Sequence, residues 1–361
     1  MDVFERRIGS LRSFLKTSNE ALLLSNEVNI GYFTGFFHSE GYLLVTQYSV
    51  NLLVDFRYIE AAQKKSVGCK VICFKNLLDS VTEILKAEEI RCVYVEASDM
   101  TVEQFERFHS KFTENRITAL ADGKLDKHIG EIRIIKDETE IQKIATAQKI
   151  AEKAYLEVLN YVKPGVTEKE IAARLEFLMR LYGAEDKSFD SITITGKKTS
   201  LPHGVPSDDV IYEGDFFTFD FGAIYEGYHS DTTRTVAVKS ASDKMREIYA
   251  IVLNAQMMAL TKVRSGVPCS EIDKTARDII TEAGYGAYFG HSTGHGVGLD
   301  IHELPFVSAK SETILKSGMV ITDEPGIYLP NQFGVRIEDM LYVTDDGYQN
   351  FVNLPKELII V

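Results

Sequence analysis

The chain has 361 residues, 45% of them hydrophobic and 26% charged, with a formal net charge of −13. This length favours two domains, and this composition fills ordinary cores and excludes global disorder. The acidic balance speaks against nucleic-acid binding through phosphates. There is no apolar run of roughly 18 residues to cross a membrane, and no apolar signal region follows Met-Asp-Val-Phe-Glu-Arg-Arg, so a cytoplasmic location is expected.

Residues 5–17 have helical spacing in Ile8, Leu11, Phe14 and Leu15. Short buried strands are expected at 21–25, 42–46, 51–55 and 70–74, and helices near 57–65, 76–87 and 101–113. Alternation of this kind predicts a mostly covered α/β sheet. His38, His109 and His128 are isolated and read as surface or structural groups. Cys69, Cys73, Cys92 and Cys269 match neither a metal motif nor a disulfide framework, and read as buried or semi-buried free thiols. Turn-like Ala121-Asp-Gly-Lys places a boundary within 121–135, giving a first domain over 1–125 and a second over 133–361. Asp137-Glu-Thr-Glu then opens a long helix, its acids suited to the helix dipole, that breaks at Lys163-Pro-Gly.

The second half repeats itself weakly. Lys163-Pro-Gly-Val-Thr-Glu-Lys-Glu-Ile171 is similar to Arg264-Ser-Gly-Val-Pro-Cys-Ser-Glu-Ile272, an offset of 101, and Tyr182-Gly-Ala parallels Tyr285-Gly-Ala, an offset of 103. Each copy reads as a turn, a helix and a glycine stop, so the domain is expected to have two similar halves with a site between them.

Four carboxylates follow in two pairs. A hairpin folded near Tyr225-Glu226 sets Asp220 opposite Asp231, and one folded near Asn331 sets Glu324 opposite Glu338. Opposed residues lie roughly 4.5–5.5 Å apart at Cβ. Like charges at that range repel, and one of each pair then resists ionisation. Side chains alternate along a strand, so Phe217, Phe219 and Phe221 face the core while Asp220 shares the other face with Asp231, Thr233 and Thr235. Alone, the Asp pair reads equally as a solvated sheet face. The second pair, with Glu324 at a strand end before Pro325-Gly326, favours a cation between them.

Histidines add to this. Leu201-Pro-His203-Gly is one short motif, and Gly290-His291-Ser-Thr-Gly-His295-Gly-Val-Gly-Leu-Asp-Ile-His302-Glu303 is another. The glycines speak against a helix there and for backbone lying close to another segment. A phosphate loop is the rival reading, without a Walker-type lysine to support it. Four carboxylates and an imidazole suit Mn²⁺, Co²⁺, Fe²⁺ or Zn²⁺. They exceed what one catalytic zinc uses and match two ions about 3.5–4 Å apart that activate water.

The segments Asp220–Thr235, Gly294–Glu303, Glu324-Pro-Gly-Ile-Tyr and Val335–Asp339 resemble the pita-bread metallopeptidases, nearest the aminopeptidase P and prolidase branch. Asn29–Phe36 and Val54–Tyr58 resemble the creatinase-type N-terminal domain. The resemblance implies an α/β (α+β) architecture, with a pseudo-twofold catalytic domain after the creatinase-like one. It implies two divalent ions, Mn²⁺ foremost, with Asp220 on one, His295 and Glu324 on the other, and Asp231 and Glu338 bridging. Glu324 is then also the general base, His203 and His302 position substrate and stabilise the tetrahedral intermediate, His291 gates or handles protons, and Arg336 steadies Glu338. It implies a peptide substrate with proline second, and a homodimer. Prolidases restricted to dipeptides often carry an arginine just after the His-Glu motif. Pro305-Phe306 stands there instead, so an Xaa-Pro aminopeptidase is expected, with the dipeptidase and a non-catalytic binding module as alternatives.

Overall fold

A computed structural model describes residues 2–37 and 40–361, so His38 lies outside the described residues. The chain forms two compact units, Met1–Arg133 and Ile134–Val361.

The first unit is built on a six-stranded sheet in the order Lys70–Cys73, Val50–Val54, Tyr42–Thr46, Glu20–Leu24, Cys92–Val95, Thr118–Leu120. Tyr42–Thr46 is antiparallel to both its neighbours, and the other three pairings are parallel. Leu23, Leu44, Leu53 and Val93 pack against Val81, Leu85, Phe108 and Phe112 from the helices Leu77–Ala87 and Val102–Glu114. The expected strands and helices lie within a few residues of their places. The first helix, Val3–Arg12, starts on an Asp2–Glu5 capping box and stops before Phe14. Strands Cys92–Val95 and Thr118–Leu120 and helix Lys124–Arg133 were not foreseen. The strands are only 4 and 3 residues long, and the helix buries only Leu125, Ile129 and Arg133, too sparse a stripe to read as periodic. Cys73 is exposed, unlike the expected buried thiol, because its short strand lies at the sheet edge; all four cysteines are free.

In the second unit the repeat is structural. Helices Glu168–Leu181 and Cys269–Glu282 are both 14 residues long and start 101 residues apart. Gly165 and Gly266 precede them and Gly183 and Gly284 follow them, all at positive φ, where glycine has no Cβ penalty. Isolated bridges Thr167↔Val210 and Pro268↔Ile314 sit at matching places. The counterpart of Gly183 is therefore Gly284, not Gly286; the Tyr285-Gly pair lies one turn beyond the true helix stop. Long helices Glu138–Val158 and Asp243–Leu260 lead into the two copies.

Behind the first copy lies a sheet ordered Thr232–Ala237, Phe216–Phe221, Ile192–Thr195. Behind the second lies one ordered Glu303–Val307, Gly294–Gly296, Val320–Asp323, Asp339–Val343, Tyr348–Asn350. Phe219 and Phe221 pack on Tyr155, the latter stacked at 5.3 Å. The opposite face is not a solvated surface: Thr218, Thr233 and Thr235 are also buried, because the Glu324–Glu338 hairpin covers them. Among the described residues no helix is long and apolar enough to cross a membrane.

Candidate metal centre

The two carboxylate hairpins differ in register. In the second, Asp323 pairs with Asp339 and Gly326 with Arg336, which sets Glu324 level with Glu338 about Asn331, as expected. In the first, Tyr225 pairs with Tyr228, so the turn is Glu226-Gly227, both at positive φ. This is the two-residue turn whose twist matches a hairpin. It moves the partner of Asp220 to Thr233. Asp231 lies two residues before Thr233, so it keeps the same face but becomes a diagonal neighbour, roughly 7–8 Å away.

His295 closes the group. Its strand, Gly294–Gly296, lies so near its neighbours that a Cβ on Gly294 would stand 2.1 Å from the Thr322 carbonyl oxygen, and one on Gly296 2.2 Å from that of Leu304. Close backbone approach, read from the glycines, is what the structure has. His295 Nδ1 donates to the Gly296 carbonyl at 3.0 Å, which fixes the tautomer and leaves Nε2 as a lone-pair donor. That Nε2 lies 3.4 Å from Asp231 Oδ2 and 3.6 Å from Glu324 Oε1. Asp231, His295 and Glu338 bring one ligand atom each within 4.8 Å of one another. Asp220 completes the wall: Oδ2 accepts from Arg336 at 2.6 Å, while buried Oδ1 has no hydrogen-bond partner among the described residues.

The electrostatics fit a missing positive charge. Burial pushes Asp231 up to about 6, and the charge of Asp220 adds to it. Burial likewise lifts Glu324 to about 7 against the pull of His295 and Arg336. Glu338 is raised well above the usual range by burial and then by Asp231, Glu324 and Asp220. Burial disfavours the His295 cation, yet its contact with Asp231 and the charges of Asp231 and Glu324 prevail and raise it to about 9. The orphaned Asp220 oxygen and the donor set of oxygens with one imidazole nitrogen therefore fit a divalent metal.

Arg336 does not touch Glu338. Its guanidinium reaches Asp220, the Tyr328 hydroxyl (2.8 Å), the Pro202 carbonyl and Thr233 Oγ1 (3.0 Å). Thr233 Oγ1 in turn donates to Glu338 Oε2 at 2.7 Å. The arginine acts on Glu338 through a hydroxyl, because the register places Thr233 between them. His291 is similarly engaged. Its Nδ1 faces the Ser292 carbonyl at 2.7 Å and so carries the proton, leaving Nε2 to accept from the Tyr328 hydroxyl at 2.9 Å. Burial, then Arg336, pushes it down to about 4, which favours the neutral ring in this hydrogen-bonded chain. His203 and His302 are exposed to the cavity and, among the described residues, have no hydrogen-bond partner.

Asp220, Asp231, His295, Glu324 and Glu338, with Arg336 and the three histidines His203, His291 and His302, line one cavity of about 680 Å³, walled also by Phe189, Ile192, Ile301 and Phe306. Sequence reasoning assigned no role to Thr233 and Tyr328. Thr233 shares the face of Asp231, and Tyr328 closes the Glu-Pro-Gly-Ile-Tyr segment, so strand parity was the available signal for both.

Residues 142–345 match the metallopeptidase family M24 model, and residues 7–135 match the Creatinase/Prolidase N-terminal domain. The chain is 40% identical to a relative from Pyrococcus horikoshii named Xaa-Pro dipeptidase, over 99% of this chain and 100% of the relative. It is also similar to a solved structure described as Xaa-Pro dipeptidase from Bacillus anthracis (TM-score 0.95, 40% identity, 99% of this chain and 100% of that one). A third likeness is to a structure described as X-Pro aminopeptidase from Thermotoga maritima (TM-score 0.89, 36% identity, all of both chains).

Proposed function

The chain belongs to metallopeptidase family M24, and on that premise we propose that it is an Xaa-Pro dipeptidase with two divalent ions. The observation that carries the chemistry is the convergence of five donors on one cavity, with a buried Asp220 oxygen that has no hydrogen-bond partner among the described residues. Family membership makes the chain a hydrolase, against the binding-module alternative.

In this reading Asp220 would help to hold one ion and His295 and Glu324 the other, with Asp231 and Glu338 as further ligands. Bound ions supply a water of lowered pKa and a polarised carbonyl. Glu324 takes the proton of the attacking water and passes it to the leaving proline nitrogen. His203 and His302, without a hydrogen-bond partner among the described residues, donate to the oxygen that gains charge. His291 fixes the Tyr328 hydroxyl, and Tyr328 with Asp220 fixes Arg336. The reading includes a hard ion such as Mn²⁺, a cytoplasmic location and a homodimer; metal analysis, cell fractionation and light scattering of the purified protein test these.

The dipeptide preference replaces the aminopeptidase expectation. It is supported by full-length relatives at 40% identity named Xaa-Pro dipeptidase. One observation favours the longer substrate: Phe306, the strand partner of His295, is an apolar group at the cavity wall where an arginine was sought. The deciding assay gives Mn²⁺-loaded protein Ala-Pro, Ala-Pro-Ala and Ala-Ala-Ala. Cleavage of Ala-Pro alone is the expected result. Cleavage of Ala-Pro-Ala at comparable rate makes it an aminopeptidase, and no cleavage of either proline peptide removes the proline reading.

A further inference from the structure

We propose that Lys136 is a positioning residue for His302, acting through Glu303 from outside the cavity. This rests on the peptidase reading of the site. Lys136 is the third residue of the second unit, and neither it nor Glu303 lines the cavity.

The Lys136 side chain is 1% exposed and its ammonium pairs with Glu303 Oε1, on a side chain 10% exposed. The Lys136 amide donates to the Gly318 carbonyl at 2.8 Å. Gly318 leads into strand Val320–Asp323, whose next residue is Glu324. One lysine is thus tied by its backbone to the strand that bears Glu324, and by its ammonium to the residue that follows His302.

The Glu303 carboxylate also closes the base of the 297–302 loop. A Cβ on Gly298 would stand 2.4 Å from Glu303 Oε1, so the carboxylate lies directly on that backbone. His302 itself makes a ring contact with His295, centroids 4.4 Å apart, and no hydrogen bond among the described residues. Its placement is therefore inherited from the loop, which Glu303 holds together with the His229 amide on the Gly298 carbonyl (2.8 Å) and the Val297 amide on the Val320 carbonyl (3.3 Å). A buried ion pair is a poor device for stability, since an apolar pair of equal size commonly does as well. What this pair supplies is geometry: it sets the distance between a cavity histidine and a candidate ligand strand. Groups that orient reacting residues in this indirect way typically act by 10–100-fold.

The test is a double-mutant cycle of Lys136→Met with His302→Ala on the metal-loaded full chain. It uses whichever peptide the wild type cleaves, so failure of the proline reading leaves it intact. Lys136→Met is expected to lower kcat about 10–100-fold, with KM and metal content close to wild type. In the His302→Ala background the same change is expected to cost almost nothing. Amides 297–302 of the ion-free variant should also exchange hydrogen faster than wild type. Wild-type kcat in Lys136→Met overturns the proposal. So does an equal loss with and without His302, or a loss that follows departure of the metal. If Lys136→Met does not fold, Glu303→Gln is carried through the same cycle and judged by the same outcomes.

Discussion

Helices Glu168–Leu181 and Cys269–Glu282 share a length, flanking glycines and a bridge at the same place, yet the strands behind them do not share a chemistry. The first half brings Asp220 and Asp231 with one cavity histidine, His203. The second brings His295, Glu324 and Glu338 with His291 and His302. The glycine stops and the isolated bridge recur because packing imposes them on any copy. The carboxylates are divided between the halves, so a cation between them is enclosed from two sides. The histidines are not divided evenly, and that asymmetry gives the cavity a direction.

Removing one donor from each half strikes the comparison hardest. Glu324→Gln and Asp220→Asn are each expected to lower kcat/KM on the wild-type substrate by about 10³-fold or more, with circular dichroism unchanged. Activity near wild type in either variant removes that half from the centre. Thr233→Val cuts the link between the halves, since this first-half hydroxyl holds the second-half Glu338 and receives Arg336. A loss of about 10–100-fold in Mn²⁺ affinity is expected in dialysis; unchanged affinity means that each half holds its donors alone.

The pH dependence follows from the raised groups. Asp231 and Glu324 stand at about 6 and about 7, above ordinary carboxyls. In ion-free protein their contribution to stability is present below pH ~4 and lost as pH rises through 6 to 7. His295, raised to about 9, likewise contributes below pH ~6.5 and fades as pH rises through 9. A divalent ion replaces those protons, so the rise in thermal midpoint on adding Mn²⁺ should be larger at high pH than at low. Equal rises at pH 8 and pH 5.5 would mean that the ion binds elsewhere.

The smallest effect concerns two strand partners. Asp339 is held by Arg234, Lys356 and Asn350, whereas both buried oxygens of Asp323 have no hydrogen-bond partner among the described residues. An unsatisfied buried polar group costs stability, so Asp323→Val should raise the unfolding free energy by about 1 kcal/mol or more. A lower midpoint in calorimetry would show that the carboxyl has a use.

Much of this was legible because it is local. Glu324 and Glu338 are symmetric about Asn331, whose positive φ marks the turn, so parity and register could both be read. For Asp220 and Asp231 only parity held: the turn lies one residue later, on Glu226-Gly227, and the ladder slides by two. The repeat was visible in Gly-Val and Glu-Ile, but one of its glycine stops was misplaced by a nearby second glycine. The partners of Arg336 and His291 were not legible. Parity gives Thr233 and Tyr328 a face, but not that Thr233 meets Arg336 across 103 residues or Tyr328 meets His291 across 37.

The most direct test of the centre is equilibrium dialysis of the full chain against Mn²⁺, read by elemental analysis, for wild type and Glu338→Gln. The five-donor centre predicts two ions per chain in the wild type and fewer than two in the variant. Less than one ion per wild-type chain, or two in both proteins, would contradict it.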